Sequence, residues 1–205
     1  MRFLITLSIF FLAVIIHEYA HGWVAWKLGD STAKNAGRLT LNPVAHIDPI
    51  GTIFLPLVLL ATHAPIVFGW AKPVPVDFHR LNNPKKDMVW VGLAGPAANM
   101  LFAIVLSFIL KISNLTLAGS PLFISILNSV ILINLVLAVF NLLPIPPLDG
   151  SRVAMGLLPR DMAIKYAKLE PYGFMIIFGM LWLGIIGGVI WPIVMFLARL
   201  LGVET

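Results

Sequence analysis

The chain has 205 residues, of which 60% are hydrophobic and only 11% are charged, so it is too apolar for an ordinary soluble domain. Its formal net charge of +5 comes from residues in short loops, a distribution that is typical of cytoplasmic loops and argues against nucleic acid as a partner. The chain has no cysteine, which excludes disulfides and thiolate metal sites, so any metal ligand must be His, Asp or Glu.

Several apolar runs approach the roughly 20 residues that cross a bilayer, so we predict an all-α polytopic membrane protein. The first run covers residues 2–28. Its start is similar to a secretory signal peptide, but no small-residue cleavage site follows, and cleavage near residue 20 would remove the polar motif described next. We therefore interpret this run as a retained first span.

The first run contains the sequence His-Glu-Tyr-Ala-His at residues 17–21. Ionisable side chains at membrane depth are costly and indicate a functional site. Residues four apart lie on one face of a helix, so His17 and His21 can bind one metal ion with Glu18 beside them, as in zinc peptidases. The alternative, a solvated helix face, would need polar neighbours, whereas Ile16 and Trp23 belong to apolar flanks.

The next apolar run covers residues 50–70 and is interrupted by Pro56 and Pro65. Basic residues flank both of its ends, and positive charge favours the cytoplasmic side, so we predict a re-entrant hairpin. The alternative is a simple crossing. Shortly after this run, Val74 and Val76 each follow a proline, a pattern that predicts an extended, strand-like segment.

Residues 88–112 and 121–143 predict two full spans, the first running outward and the second returning inward. A final stretch at residues 172–201 predicts one long kinked span, or one span followed by a short terminal helix. We thus expect about four to six membrane segments in a single membrane-embedded domain over residues 1–205. Its catalytic core would cover about residues 2–158.

A catalytic zinc site usually has three protein ligands, so a third must join the two histidines. The candidates near membrane depth are Asp149, His63, His46 and Asp48. Asp149 is preferred because it follows a span, in a proline-rich stretch that cannot continue as a regular helix, and because the predicted topology brings it to the depth of the histidines. The alternative for Asp149 is an ordinary helix-capping aspartate.

The other polar residues in or near the apolar runs are given more ordinary interpretations. His46 and Asp48 could form a second metal site, but orientation of a zinc ligand or capping of a loop is the preferred interpretation. His63 is interpreted as an interfacial or structural histidine. Three asparagines within the apolar runs are expected to make contacts between helices. They are Asn99, Asn128 and Asn134.

The sequence resembles the site-2 protease family of intramembrane zinc metalloproteases. The resemblance rests on His-Glu-Tyr-Ala-His at 17–21, Gly-Pro-Ala-Ala-Asn at 95–99, and Asn-Leu-Leu-Pro-Ile-Pro-Pro-Leu-Asp-Gly at 141–150. Residues 41–49 and 68–76 are similar to segments of a short subgroup. Many relatives carry a PDZ or CBS domain, for which this chain has no room.

The resemblance implies that His17, His21 and Asp149 bind one Zn²⁺ ion and that Glu18 is the general base. It implies that Asn141 lies near the active site, where it helps to bind substrate or to stabilise the oxyanion. It also implies that residues 68–76 form a strand-like loop near the active site, and we hypothesise that this loop pairs with an unwound substrate strand.

We therefore expect an intramembrane zinc metalloendopeptidase that cleaves peptide bonds in or near transmembrane segments. Its partners would be transmembrane substrates and the lipid bilayer of a prokaryotic plasma membrane, with the active site toward the cytoplasmic side. The oligomeric state stays open. The alternative is a non-proteolytic metal-binding membrane protein or a metal transporter. A transporter should line a path with ionisable residues, yet residues 172–198 have none, and a pseudoenzyme should have lost Glu18 or a ligand.

Overall fold

The computed structural model describes residues 2–62, 69–116 and 120–203. These residues are mainly helical and include no β-strand. Short 3₁₀ turns lie at Pro43–His46, Phe78–Arg80 and Glu170–Tyr172, and a π-helical turn lies at Pro49–Phe54. The α-helices are α1 (Arg2–Lys27), α2 (Thr32–Asn35), α3 (Leu55–Ala61), α4 (Pro84–Thr116), α5 (Pro121–Asn141), α6 (Asp149–Leu157), α7 (Arg160–Ala167), α8 (Gly173–Trp182) and α9 (Ile185–Leu201).

Three helical stretches of the described chain are long and apolar enough to cross a membrane. They are Leu7–Lys27, Pro84–Ser113 and Pro121–Asn141, with 21, 30 and 21 residues. The pair Arg160–Trp182 and Ile185–Leu201 adds a fourth if it forms one broken span. The all-α polytopic membrane fold is thereby confirmed, with three to four spans where the sequence predicted four to six segments.

The C-terminal apolar stretch breaks between α8 and α9, where the helix axes are bent by 76°. The break lies at Gly184, whose φ of +73° is in the left-handed region that favours glycine. Gly187, Gly188 and Pro192 are instead inside α9. Of the two predicted arrangements, a full span with a short terminal helix does not describe the result, since α8 has only 10 residues and α9 has 17. The sharply bent pair is compatible with the other, one long kinked span.

The segment predicted to re-enter the membrane has ends that meet. The Trp70 N–H donates to the Gly51 carbonyl at 3.1 Å, and the Thr52 hydroxyl donates to the Trp70 carbonyl at 2.8 Å. The apolar helical part of this segment, Pro49–Ala61, is too short for a bilayer crossing of about 20 residues. This is the geometry that a re-entrant segment requires, whereas a crossing would separate residues 51 and 70.

Helix α4 is the centre of the packing and contacts α1, α5 and α6. Two glycines bring α6 close to it. A Cβ atom at Gly92 would lie 3.1 Å from the Asp149 carbonyl oxygen, and one at Gly156 would lie 2.8 Å from the Lys85 carbonyl oxygen. The first residue of α6, Asp149, is therefore held against the first half of α4, opposite the second half of α1.

Asp30 joins the end of α1 to the extended segment before α4. Its fully buried side chain accepts hydrogen bonds from the Thr32 N–H at 2.9 Å, from the Thr32 hydroxyl, and from the Asp77 N–H at 2.7 Å. Burial opposes ionisation of the carboxyl, but these hydrogen bonds outweigh it and hold the pKa of Asp30 below its ordinary value. The ionised carboxylate thus stabilises the fold.

Asp30→Asn should lower the free energy of unfolding by about 1–3 kcal/mol at pH 7, because the amide leaves one of these buried donors without an acceptor. A lowered carboxyl pKa gives stability that is present above the unfolded pKa of about 3.9 and is lost as the pH falls through the folded pKa. The deficit should therefore shrink below pH 4. Thermal unfolding in detergent from pH 3 to pH 7 measures both effects.

The matched control for this experiment is Asp161→Asn, which removes the charge of an exposed carboxylate on α7. It should leave the unfolding temperature at the wild-type value. A deficit of Asp30→Asn that is the same at pH 3 and pH 7 would contradict the stabilising role of the ionised group.

Candidate active site

Three side chains from distant parts of the chain meet between α1, α4 and α6. His17 and His21 lie one turn apart on α1, and their Nε2 atoms are separated by 3.0 Å. The Asp149 Oδ2 atom lies 3.0 Å from the His17 Nε2 and 3.2 Å from the His21 Nε2. The histidines are 6% and 8% exposed. Among the described residues, these three form the group of His, Asp or Glu side chains that could hold a metal ion.

The three ligand atoms fit a zinc ion. Tetrahedral zinc with bonds of about 2.0–2.2 Å separates its ligand atoms by about 3.3–3.5 Å, and the observed separations are within a few tenths of an ångström of this. The backbone leaves space beside them. A Cβ atom at Gly95 would lie 2.6 Å from the His17 Nε2 and closer still to the His21 Nε2, so any side chain there would press on both ligand atoms.

A backbone carbonyl group orients His21, the histidine nearer the C-terminal end of α1. The His21 Nδ1 donates to the Val91 carbonyl of α4 at 2.7 Å, which leaves the Nε2 as the free ligand atom. The His17 Nδ1 is buried and has no hydrogen-bond partner among the described residues. Only one of the two imidazoles is thus fixed through its second nitrogen.

The loop that carries Asp149 is held from the C-terminal side. The Tyr166 hydroxyl of α7 donates to the Pro144 carbonyl at 2.7 Å. Gly173, at the start of α8, packs on the Pro146 carbonyl so closely that a Cβ atom would clash with it. The C-terminal helices therefore help to position the carboxylate, although the sequence analysis placed them outside the catalytic core.

Glu18 is half-buried next to the three ligands and has a backbone partner. Its Oε2 atom accepts the N–H of Val74 at 2.8 Å. Gly22, one turn later on α1, makes room for this segment, because a Cβ atom there would lie 2.7 Å from the Val74 Cγ1. The proline-flanked segment thus lies over the carboxylate of Glu18.

The proline-flanked segment has no regular secondary structure and belongs to no sheet. Its hydrogen bonds go to loops and side chains. The Lys72 N–H donates to the His46 carbonyl at 2.9 Å, and the Arg38 guanidinium donates to the Lys72 carbonyl at 2.8 Å. Because the Val74 N–H is already bound to Glu18, a substrate strand that paired through Val74 would have to break that hydrogen bond.

Asn141 is not connected to the three ligands by any described contact. Its side-chain amide donates to the Leu137 carbonyl of its own helix at 3.0 Å. The next residue, Leu142, has its carbonyl against Gly150, so the backbone of Asn141 is close to the Asp149 loop. A role of Asn141 in substrate or oxyanion binding stays a prediction.

The remaining candidates for the third metal ligand have local hydrogen-bond partners or lie outside the described residues. His46 is fully buried and its Nε2 donates to the Thr40 carbonyl at 2.8 Å. The Asp48 carboxylate accepts the N–H groups of Ile50 and Gly51, as the capping interpretation predicts. His63 lies outside the described residues.

The asparagines expected to join helices do not do so through described hydrogen bonds. The Asn134 side chain donates to the Val130 carbonyl of its own helix at 2.8 Å. Asn99 is fully buried, and its amide has no partner among the described residues. Their burial between helices is nevertheless what a packing position requires.

Sequence reasoning missed three contributions to the site. The Val91 carbonyl and the Val74 N–H are backbone groups, which every residue type but proline can offer, so no sequence signal marks them. Gly95 entered the sequence analysis only as part of a motif. A glycine in the middle of an apolar helix is unfavourable by itself, and that cost is a signal of close approach that could have singled it out.

Comparison with known proteins agrees with this geometry. The profile of peptidase family M50 matches residues 111–184. "Putative zinc metalloprotease YwhC" of Bacillus subtilis (strain 168) is 42% identical over 183 residues, which cover 86% of this chain and 80% of that protein. No solved structure matches the chain.

Two further relatives are more distant and longer. "Putative zinc metalloprotease Rip2" of Mycolicibacterium smegmatis is 30% identical over 179 residues, or 85% of this chain and 65% of that protein. "Zinc metalloprotease MJ0392" of Methanocaldococcus jannaschii is 28% identical over 160 residues, or 78% of this chain and 35% of that protein. The matched part is thus less than two thirds of the length of these two proteins. With the profile match and the identity to YwhC over most of both chains, this chain belongs to peptidase family M50, the site-2 protease family.

Proposed function

We propose that the protein is an intramembrane zinc metalloendopeptidase that hydrolyses peptide bonds in or near transmembrane segments. The observation that carries the proposal is the meeting of His17, His21 and Asp149 beside Glu18. The two histidines and Glu18 belong to a helix that is itself apolar enough to cross the membrane. The relatives that are named as zinc metalloproteases support the same chemistry. Ionisable groups at this depth are costly, so their presence indicates a functional site.

One zinc ion per chain would be held by the Nε2 atoms of His17 and His21 and by the Asp149 carboxylate. When bound, zinc supplies Lewis-acid activation of water and of the scissile carbonyl. Asp149 also balances part of the charge of the ion in an apolar surrounding. The Val91 carbonyl keeps the ring of His21 in the orientation that points its Nε2 to this position.

Glu18 would act as the general base that takes a proton from the attacking water and passes it to the leaving amine. The Val74 N–H keeps the carboxylate at one position by binding Oε2, and the second oxygen stays available to the water. Asn141 is proposed as a donor to the substrate or to the negative charge that forms on the carbonyl oxygen.

The depth of the site supports a membrane-embedded substrate. A peptide bond in a transmembrane helix is hidden by the hydrogen bonds of that helix, so the substrate must unwind locally before water can attack. The segment over Glu18 is irregular and proline-rich, and its contact with the proposed general base supports a role beside an unwound strand. We therefore expect helix-breaking residues near the cleaved bond to favour hydrolysis.

The active site is proposed to face the cytoplasmic side of a prokaryotic plasma membrane. The end of the helix bundle that holds the site carries many basic residues, and cytoplasmic loops are enriched in Lys and Arg. They include Lys27, Lys34, Arg38, Lys72, Lys85, Lys86 and Arg152. A transport path is less well supported, because His17, His21 and Asp149 form the one group in the described chain that could hold a metal.

The test measures zinc content and cleavage on the purified protein in detergent. We expect about one zinc ion per chain, and cleavage of a model transmembrane peptide that stops on chelation and returns with added zinc. His21→Gln should lose zinc, and His79→Gln, which alters an exposed histidine away from the site, should keep it. Cleavage that survives complete zinc removal would refute the proposal, as would a wild-type protein without zinc.

A further inference from the structure

A groove at the start of α4 is not used by the proposed protease function. It has a volume of about 370 Å³ and lies between the first turns of α4 and the end of α6. Its lining includes Lys85, Lys86, Val89, Trp90, Gly156 and Leu157. We propose that this groove binds the phosphate headgroup of an anionic phospholipid.

The floor of the groove depends on Gly156. A Cβ atom there would lie 2.8 Å from the Lys85 carbonyl oxygen and would collide with the side chain of Val89. Because glycine lets the two helices approach, the groove has an apolar floor close to the backbone. The rim is also apolar, since Leu157 is 70% exposed and Trp90 is 58% exposed. These side chains suit the glycerol and upper acyl region of a lipid and are poorly placed if they face water.

The positive charge of the groove is not balanced by ion pairs with other described residues. Lys85 and Lys86 are exposed, and neither takes part in an ion pair among the described residues. Some other cations at this end of the molecule have partners of their own. Lys34 lies over the Trp26 ring, for example, and Arg152 is paired with Glu170.

The nearest carboxylate does not cancel this charge from within the groove. Asp87 is buried in the first turn of α4, and its Oδ2 accepts the N–H of Asn83 at 2.7 Å. It is not part of the groove lining. Two ammonium groups therefore remain for an anionic ligand in the groove.

The position of the groove selects a lipid over a soluble phosphate compound. Pro84 begins a helix that is long enough to cross the bilayer, so its first turns lie at the membrane surface, where tryptophan is enriched. Anionic headgroups are concentrated at such a surface and attract nearby lysines. The inference requires only that the protein is embedded in a membrane, so it can hold or fail independently of proteolysis.

The experiment uses the full chain purified in neutral detergent and freed of bound lipid. Retention of phosphatidylglycerol and of phosphatidylcholine with identical acyl chains is compared by native mass spectrometry and by thermal unfolding. We expect phosphatidylglycerol to bind at least about tenfold more tightly than phosphatidylcholine, and Lys85→Gln/Lys86→Gln to remove this preference. Inorganic phosphate at millimolar concentration should not raise the unfolding temperature.

The matched control is Lys165→Gln/Lys168→Gln, which removes the same charge from the neighbouring α7 and its C-terminal cap and should keep the preference. If the double variant at the groove does not fold, the single variants Lys85→Gln and Lys86→Gln replace it, each with a partial loss expected. Equal binding of both lipids would overturn the proposal. So would an equal loss in both double variants, which would mean diffuse charge attraction, or stabilisation by phosphate alone, which would mean a site for a soluble anion.

Discussion

Glu18→Gln should slow hydrolysis of a transmembrane peptide by about 10²–10⁴-fold while leaving zinc content at the wild-type level. The substitution keeps the size of the side chain and removes its capacity to take a proton. The glutamine carbonyl can still accept the N–H of Val74, which the Oε2 atom of Glu18 accepts at 2.8 Å in the wild type. The loss should therefore report proton transfer and not displacement of the proline-flanked segment.

Two further variants separate these effects. Glu18→Ala removes the base and the acceptor for the Val74 N–H together, so it should be as inactive as the glutamine variant and also less stable. Glu170→Gln is the matched control, because it alters a carboxylate that pairs with Arg152 on the protein surface, and it should keep activity. Hydrolysis by Glu18→Gln at the wild-type rate would remove Glu18 from the mechanism.

Gly95→Ala should abolish zinc binding and hydrolysis together through the addition of one methyl group. That methyl would lie 2.6 Å from the His17 Nε2 and closer to the His21 Nε2, in the space beside the ligand atoms. We expect zinc affinity to fall by more than the roughly 10–100-fold that loss of an outer hydrogen-bond partner costs. Competition with a chromophoric chelator measures the affinity.

The alanine variant is informative because alanine is the better helix former by about 1 kcal/mol, so α4 itself should not be weakened. Gly187→Ala is the matched control, since no atom lies within 4 Å of a Cβ atom built there on α9, and it should bind zinc normally. Circular dichroism should show the same helix content in both variants. If Gly95→Ala bound zinc as tightly as the wild type, the ion would have to lie elsewhere.

The three candidate ligands were accessible to sequence reasoning because their surroundings made them conspicuous. Charged groups are rare in apolar runs, and the absence of cysteine left few residues that could complete a site with His17 and His21. The predicted directions of the spans then brought Asp149 to the depth of the histidines, and the structure places its carboxylate within 3.2 Å of both Nε2 atoms. The catalytic roles themselves stay predictions until the variants above are measured.

The break in the C-terminal stretch was not accessible in the same way. Gly187, Gly188 and Pro192 are the residues of this stretch that most often interrupt helices, yet α9 continues through them and the chain turns at Gly184. Glycine and proline are tolerated inside helices that lipid and neighbouring helices surround, so composition alone does not say which glycine ends a helix. The positive φ of Gly184 is a property of the folded chain.

The distance in sequence between the ligands has a consequence for biosynthesis. His17 and His21 are made early, whereas Asp149 reaches them only after α5 has formed and α6 has packed on α4. A nascent or truncated chain that ends before residue 149 carries the histidines and Glu18 without the third ligand. For the proposed hydrolysis of membrane helices, this order of synthesis would postpone activity until residue 149 is in place.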